Sequence, residues 1–143
     1  MPIVNFYLVE DRYDDADVAQ LLIDSSHFYL ETLYPGVTPP PLERVRAFVT
    51  TVQAQHWATA GKLASDGGAN APYFTCLALA GRPDKQLHDL MAGFTELVVK
   101  HLGVGIAHVR GQVISIEPSH WSIGGVPASI KRSDEAELRA GVG

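Results

Sequence analysis

The sequence predicts an α+β fold in which two tandem β-α-β units form one four-stranded sheet with two helices on one face. Two observations lead to this prediction. Short apolar strands alternate with helix-like periodic segments, so that the order β-α-β occurs twice in 143 residues. The two halves also share residue spacings, which indicates an internal duplication. A strand–helix–strand unit makes its two strands parallel, and two such units can share one sheet.

The first half contains a strand, a helix and a second strand. PIVNFYLV (2–9) is short, β-branched and aromatic, which is typical of a strand. Asp14 can cap a helix, and apolar residues at helical spacing continue this helix to about Leu33. YPGVTPPP (34–41) can form neither helix nor central strand, because its prolines lack amide donors. RVRAFVTTV (44–52) then predicts the second strand.

The second half repeats this order after a loop, KLASDGGANA (62–71), which is assigned by its composition. YFTCLALA (73–80) predicts a strand, and Pro83 suits the first turn of a helix. Gly103 is a plausible end of that helix, because glycine favours the left-handed cap. AHVRGQVISI (107–116) predicts the last strand.

These elements predict one domain over residues 1–129, made of two repeats at about 2–62 and 72–129. Residues 130–143 are charged and are predicted to form a C-terminal tail. The predicted strands are apolar on both sides, so the sheet face without helices also needs to be covered. Burial against other subunits is the simplest cover.

Composition excludes several classes of partner. The formal net charge is −5, so the chain has no overall attraction to nucleic acid or to anionic membranes. We find neither an apolar stretch of the ~20 residues that span a bilayer nor a signal peptide. The single cysteine, Cys76, excludes an intrachain disulfide and is predicted to be a small core residue. A cytoplasmic location is therefore expected.

The duplication is visible in the spacing of prolines, arginines and tryptophans. In each half an arginine follows a proline by ten positions, and a tryptophan follows a second arginine by eleven. The matched sets are Pro2, Arg12, Arg46 and Trp57 in the first half, and Pro72, Arg82, Arg110 and Trp121 in the second. Between the two arginines the first half has a six-residue excess, which falls in the stretch 34–41.

With these residues the chain resembles the tautomerase superfamily, whose members use an amino-terminal proline as catalyst. The second half is similar to one subunit of 4-oxalocrotonate tautomerase, including the segment SIGG (122–125) after the aromatic residue. Trp121 stands where the family usually has Phe, and the first half has ATAGK (58–62) in place of SIGG. The resemblance covers about residues 2–129 and implies a homotrimer of fused chains.

The two prolines differ chemically. Removal of Met1 would leave Pro2 with a free secondary amine, whereas the nitrogen of Pro72 is a tertiary amide without useful basicity. An α-amino group titrates near ~7.7–8.0, and burial or nearby arginines favour its neutral form. A neutral amine can take a proton from the carbon beside a carbonyl and return it elsewhere.

The resemblance implies that Pro2, Arg82 and Arg110 are catalytic. One arginine can hold a substrate carboxylate, and another can polarise the carbonyl oxygen. This set fits keto–enol tautomerisation of a small 2-oxo acid and needs no metal or organic cofactor. Arg110 lies in an apolar strand, where a buried arginine is expected to be paired.

Four further residues are candidate substrate-binding residues: Trp121, His27, Arg12 and Trp57. The two tryptophans suit a core or subunit interface as well as a site wall. His27 lies near the position where the fused dehalogenases carry a substrate-binding histidine, although the register differs. Arg12 and Arg46 are assigned to the half-site around Pro72, where structural or intersubunit roles are the alternative.

Two other functions stay open. The fused length also resembles cis-3-chloroacrylic acid dehalogenase and malonate semialdehyde decarboxylase, in which a protonated Pro2 would act as an acid on a three-carbon acid. This chain has Leu79 and Ala80 where those enzymes carry an additional arginine, and Glu117 is its candidate for a water-activating carboxylate. The second alternative is a non-catalytic trimeric binding protein, which would show no turnover that depends on Pro2.

Overall fold

The structure is a computed structural model and describes residues 2–133. The predicted removal of Met1 falls outside the described residues, and so does most of the predicted tail, from residue 134 onward. The bounds proposed for the domain and for its two repeats stay predictions.

The chain alternates strands and helices in two similar halves. In chain order the elements are β1 (Ile3–Val9), α1 (Asp15–Leu33), β2 (Arg46–Val52), β3 (Ala58–Thr59), β4 (Lys62–Leu63), β5 (Tyr73–Leu79), α2 (Asp84–Leu102), β6 (Arg110–Ile116), β7 (Ser122–Ile123), β8 (Val126–Pro127) and α3 (Ala128–Lys131). The four long strands form one sheet in the order β2-β1-β5-β6. The α+β prediction is therefore confirmed.

The sheet joins the two halves through its central pair of strands. β1 is parallel to β2, and β5 is parallel to β6, as strand–helix–strand connections require. β1 and β5 are antiparallel, with Val4 opposite Cys76 and Phe6 opposite Phe74. The start of β1 therefore lies beside the end of β5, and the start of β5 lies beside the end of β1.

Alternation along the central strands builds the core beneath the two helices. Val4 and Phe6 of β1 and Phe74 and Cys76 of β5 are all buried and point to the same face, because successive strand residues alternate sides. Phe94 of α2 packs at their centre, with its ring centroid 6.1 Å from that of Phe6 and 5.7 Å from that of Phe74. This aromatic cluster ties both repeats into a single core.

Both helices cover this face, as predicted, and they pack against each other. Gly103 ends α2 in the left-handed conformation, with a φ of 68°, which confirms its predicted role. Pro83 precedes α2 as its N-cap instead of lying in its first turn. Gly93 of α2 lets Phe28 of α1 approach closely, since a β-carbon on Gly93 would lie only 1.9 Å from Cζ of Phe28.

The opposite sheet face carries no helix in the part of the chain that the structure describes. Tyr7 and Tyr73 stack on this face with their ring centroids 5.4 Å apart. Phe48 of β2 is 44% exposed there, which is unusual for a large apolar side chain. This face also carries polar side chains, since the hydroxyl of Thr50 donates to Oδ1 of Asn5 at 3.0 Å, so the expectation that it is apolar throughout is wrong.

Two short hairpins follow the outer strands, and the sequence did not indicate them. The hairpin β3-β4 comes after β2, and the hairpin β7-β8 comes after β6. The stretch 62–71, predicted to be a loop, accordingly begins with the two-residue strand β4. Strands this short show no periodicity that a sequence could display. None of the helices within residues 2–133 is long and apolar enough to cross a bilayer.

Replacing Gly93 by alanine tests the contact between the helices. Alanine favours a helix interior over glycine by ~1 kcal/mol, but the overlap with Phe28 should cost ~1–3 kcal/mol. We expect Gly93→Ala to lower the free energy of unfolding by about 1 kcal/mol in urea titrations, because the ring is held against Phe94. In a Phe28→Leu background the same change should stabilise the protein. If Gly93→Ala raised the free energy of unfolding in the wild-type background, this packing would be contradicted.

Candidate active site

The antiparallel pairing of β1 and β5 gives the sheet two distinct ends. At the Pro2 end, β1 and β2 begin and β5 and β6 finish; at the Pro72 end the reverse holds. The amide of Arg46 donates to the carbonyl of Pro2 at 2.9 Å, and the amide of Arg110 donates to the carbonyl of Pro72 at 3.1 Å. Each proline therefore precedes its strand directly beside the arginine that begins the neighbouring strand.

The predicted catalytic residues are divided between these ends. Arg82 follows β5, so it lies at the Pro2 end, whereas Arg110 begins β6 at the Pro72 end. Seven strand residues separate the two ends, which corresponds to about 20 Å. One chain therefore brings Pro2 and Arg82 to the same end but not Arg110, which could join Pro2 only from a second copy. The same holds for Arg46 and the half-site around Pro72.

Arg110 is exposed, so the expectation that it is buried is wrong. The reason is that Arg110 pairs with Tyr73 and so lies on the sheet face without helices, at the start of the edge strand β6. Its Nη1 donates to the carbonyl of Ala107 at 2.6 Å. Arg46 is exposed in the same way, and its Nη1 donates to the carbonyl of Glu43 at 2.9 Å. Both guanidinium groups therefore lie on the surface of the chain.

Arg82 is held far more firmly than Arg12, its counterpart in the first repeat. Arg82 is half-buried, and its Nη1 donates to the carbonyl of Leu33 at 2.9 Å and to Oε1 of Gln86 at 3.2 Å. Arg12 is exposed and donates from Nη2 to the carbonyl of Ala64 at 3.3 Å. The arginine at the Pro2 end is therefore the more buried and the more strongly hydrogen-bonded of the two.

Pro2 and Pro72 are both buried. Burial disfavours a charged group, so this position suits an amine that works in its neutral form. At the Pro2 end, Tyr29 of α1 reaches across to the sheet, donating from its hydroxyl to the carbonyls of Leu77 and Ile3. Burial raises the pKa of Tyr29 well above its usual value, so it stays a neutral donor that fixes α1 against β1 and β5.

The tryptophans occupy equivalent places after the outer strands. Trp121 is half-buried and packs against Leu79 and Ala128, whose amide donates to the carbonyl of Trp121 at 2.8 Å. Trp57 is also half-buried, and its Nε1 donates to the hydroxyl of Thr59 at 3.2 Å. Both tryptophans therefore pack within the chain, in line with the structural role given above as the alternative to a site wall. Their contact with substrate stays a prediction.

A cleft of about 400 Å³ opens beside Trp121 at the Pro2 end. Three arginines and one carboxylate line it, together with apolar and small residues: Ile3, Glu43, Arg44, Arg46, Trp121, Ser122, Ile123, Gly124 and Arg132. The excess of cations favours an anionic ligand. Sequence reasoning missed Arg44 and Arg132, although Arg44 lies only two residues before the predicted Arg46.

His27 lies on the exposed side of α1. The residues that α1 buries include Leu21, Ser25 and Tyr29, and His27 falls between these helical positions. Within one chain the histidine therefore faces away from the sheet. Its predicted contact with substrate stays a prediction.

Comparison with solved structures places this arrangement among known folds. No protein family model matches the chain, and no curated protein matches it significantly. The structure of native fused 4-OT is similar, with a TM-score of 0.79 and 26% identity over 90% of this chain and 97% of the other. This chain has the fused 4-OT fold. The resemblance to the tautomerase superfamily is therefore confirmed.

Two other solved structures share the fused 4-OT fold at lower identity. Pt0534, inactivated by 2-oxo-3-pentynoate, has a TM-score of 0.78 and 21% identity, over 90% of this chain and 98% of the other. The F6 fused 4-OT wild type, an asymmetric trimer, has a TM-score of 0.77 and 21% identity, again over 90% and 98%. At this identity the likeness concerns the fold alone.

The cysteine behaves as a core residue in this structure. Cys76 is buried, and desolvation raises the pKa of its thiol to about 12, so the reactive thiolate is scarce at pH 8. Since it is the single cysteine, any thiol label reports on it. We expect iodoacetamide at pH 8 to label native protein at least ~100-fold more slowly than protein unfolded in urea. A native rate within tenfold of the unfolded rate would mean that the thiol is accessible.

Proposed function

We propose that this protein is a cofactor-independent tautomerase that converts a small 2-oxo acid between its keto and enol forms. The observation that carries the proposal is the arrangement at the Pro2 end of the sheet. A buried proline, a fixed arginine at residue 82 and a tryptophan at residue 121 all belong to this end of the sheet in a fused 4-OT fold, which supports the proposal. The amine of Pro2, freed by removal of Met1, is the proposed general base.

The chemistry follows from the properties of these groups. The neutral amine takes a proton from one position of the substrate and returns it at another, passing through a dienolate. Arg82, which stays charged at all relevant pH values, stabilises the negative charge that develops on the carbonyl oxygen. Trp121 excludes water from this step. A second arginine is needed to hold the carboxylate, and we assign this role to Arg110 of a neighbouring copy.

A homotrimer would bring these parts together. Support comes from the exposed aromatic ring of Phe48 on the sheet face without helices, and from the position of Arg110 at the opposite end of the sheet from Pro2. The F6 fused 4-OT is itself described as a trimer. We propose that each active site combines Pro2 and Arg82 of one chain with Arg110 of the next.

The alternative hydratase-dehalogenase or decarboxylase activity has less support. Leu79 and Ala80 occupy positions where the resemblance calls for an additional arginine, and Leu79 is buried against Ala128. Glu117 is exposed just after β6. We therefore place these activities, and a non-catalytic binding role, behind the tautomerase. Assays with phenylenolpyruvate, 2-hydroxymuconate, 3-haloacrylates and malonate semialdehyde on protein without Met1 separate them.

The two prolines provide a matched pair of variants. Pro2→Ala leaves a primary amine that is more flexible, so it should retain weak activity only, whereas Pro72→Ala should leave turnover nearly intact. Activity should rise with pH as the amine becomes neutral. 2-Oxo-3-pentynoate, which inactivates Pt0534, should add through its electrophilic alkyne to one amine per chain, at Pro2, as read by peptide mass spectrometry. The proposal fails if Pro72→Ala abolishes turnover while Pro2→Ala spares it.

Mixing two impaired chains, each lacking one residue of the proposed site, tests whether the site is shared between chains. Arg110→Ala alone should cost ~2–4 kcal/mol in kcat/KM, as for one preorganised electrostatic contact. In randomly mixed trimers of Pro2→Ala and Arg110→Ala chains, each mixed ring has one site with both residues intact, so about a quarter of all sites should recover. Arg46→Ala is the comparison variant and should lose less activity than Arg110→Ala, because Arg46 is assigned to the half-site around Pro72; an equal loss would mean that Arg46, which lines the cleft at the Pro2 end, acts in that site.

Two results would contradict the assembly. The first is light scattering that reports a monomer at micromolar concentration. The second is a mixture of Pro2→Ala and Arg110→Ala chains that exchanges subunits but gains no activity, since this would show that Arg110 does not complete the site of a neighbour.

A further inference from the structure

One aromatic ring at the Pro2 end contacts two arginines. The guanidinium carbon of Arg82 lies 5.2 Å from the ring centroid of Tyr34, and that of Arg44 lies 5.3 Å from it. Arg44 also donates from Nη1 to the hydroxyl of Tyr34 at 3.2 Å. A cation over an aromatic ring at this distance is attracted by the ring quadrupole. Tyr34 is half-buried and packs against the core, so it provides a fixed surface.

The end of α1 completes the support of Arg82. Nη1 of Arg82 donates to the carbonyl of Leu33, the last residue of α1, at 2.9 Å. Carbonyls of the last helical turn have no partner within the helix and carry the negative end of its dipole, which favours a cation. The ring of Tyr34 and the carbonyl of Leu33 are neighbours in the chain. Together they restrain the guanidinium group from two directions.

The equivalent arginine of the first repeat lacks this support. Tyr34 caps the end of α1, and the residue that caps the end of α2 is Gly103, which has no side chain. Arg44 lies two residues before β2, and the residue two before β6 is His108. Arg12 accordingly stays exposed at the Pro72 end. The difference coincides with the six-residue excess in the stretch 34–41, which begins with Tyr34.

We propose that Tyr34 is a positioning residue for Arg82, and that Arg44 secures the Tyr34 ring. Tyr34 and Arg44, which flank the longer connection of the first repeat, thereby fix an arginine at the end where the proline can carry a free amine. At the other end, where the proline nitrogen is an amide, the described residues provide no such support. The inference rests on the proposed role of Arg82 in the Pro2 site.

Rigid placement matters because the arginine has to meet a developing charge. A long side chain that is free in solution loses rotamer entropy when a ligand orders it. An arginine held before binding avoids this loss and keeps its donors aligned with the oxygen. Misplacement by about 1 Å is enough to slow an enzyme by about 100-fold.

Turnover by variants of Tyr34 gives the first test. Tyr34→Leu should lower kcat/KM by ~10–100-fold, because the guanidinium group of Arg82 loses its contact with the Tyr34 ring and moves. Tyr34→Phe keeps the ring and should recover most of the activity. Tyr13→Leu, which removes a half-buried tyrosine beside Arg12, is the matched control and should leave the kinetics nearly unchanged. In an Arg82→Ala background, Tyr34→Leu should cause no further loss; an additive loss would overturn the positioning role.

Chemical modification of Arg82 gives a readout that does not need turnover. Phenylglyoxal attacks accessible guanidinium groups, and peptide mass spectrometry reports the rate at each arginine. We expect the rate at Arg82 to increase in Tyr34→Leu and to stay near that of wild type in Tyr34→Phe and Tyr13→Leu. Equal rates in wild type and Tyr34→Leu would overturn the inference. Faster modification in a protein without any Pro2-dependent turnover would overturn the proposed function and leave the tyrosine as the support of Arg82.

Discussion

The antiparallel pairing of β1 with β5 is the constraint on which the rest of the structure depends. Within each repeat the strands are parallel, so this single pairing decides which residues of one repeat meet those of the other. It places the start of β1 beside the end of β5, and thereby Pro2 at the same end as Arg82. It also aligns Phe6 with Phe74 beneath Phe94, so the core and the candidate site have a common origin.

The duplication creates two similar ends, and the differences between them carry the functional argument. Both ends have a buried proline, an arginine and a tryptophan in equivalent places. Within residues 2–133 only the Pro2 end adds Tyr34 and Arg44, which stand on either side of the connection that holds most of the six-residue excess. An inserted segment is tolerated at a surface connection at little thermodynamic cost, so such a position is well placed to acquire a new role.

Local patterns predicted the four strands, the two helices and the cap at Gly103, because periodicity and cap chemistry act over a few residues. They also predicted a buried Cys76. Burial of Arg110 was predicted wrongly, since an apolar neighbourhood in sequence does not reveal which face of the sheet the helices cover or which strand lies at its edge. The contact between Tyr34 and Arg82 could not be predicted, because it joins residues 48 positions apart through the packing of α1 on the sheet.

Fusion of two repeats has a chemical consequence that geometry alone does not show. A chain has one amino terminus, so at most one of two equivalent prolines can offer a free amine, however similar their surroundings are. The end around Pro72 keeps its arginine and tryptophan without that group. Its residues have no part in base catalysis but still have to pack, and the amide of Ala64 donates to the carbonyl of Trp57 across their hairpin at 2.8 Å. The exposed Arg12 and the fixed Arg82 then differ as expected, because only the end with a free amine needs a positioned arginine.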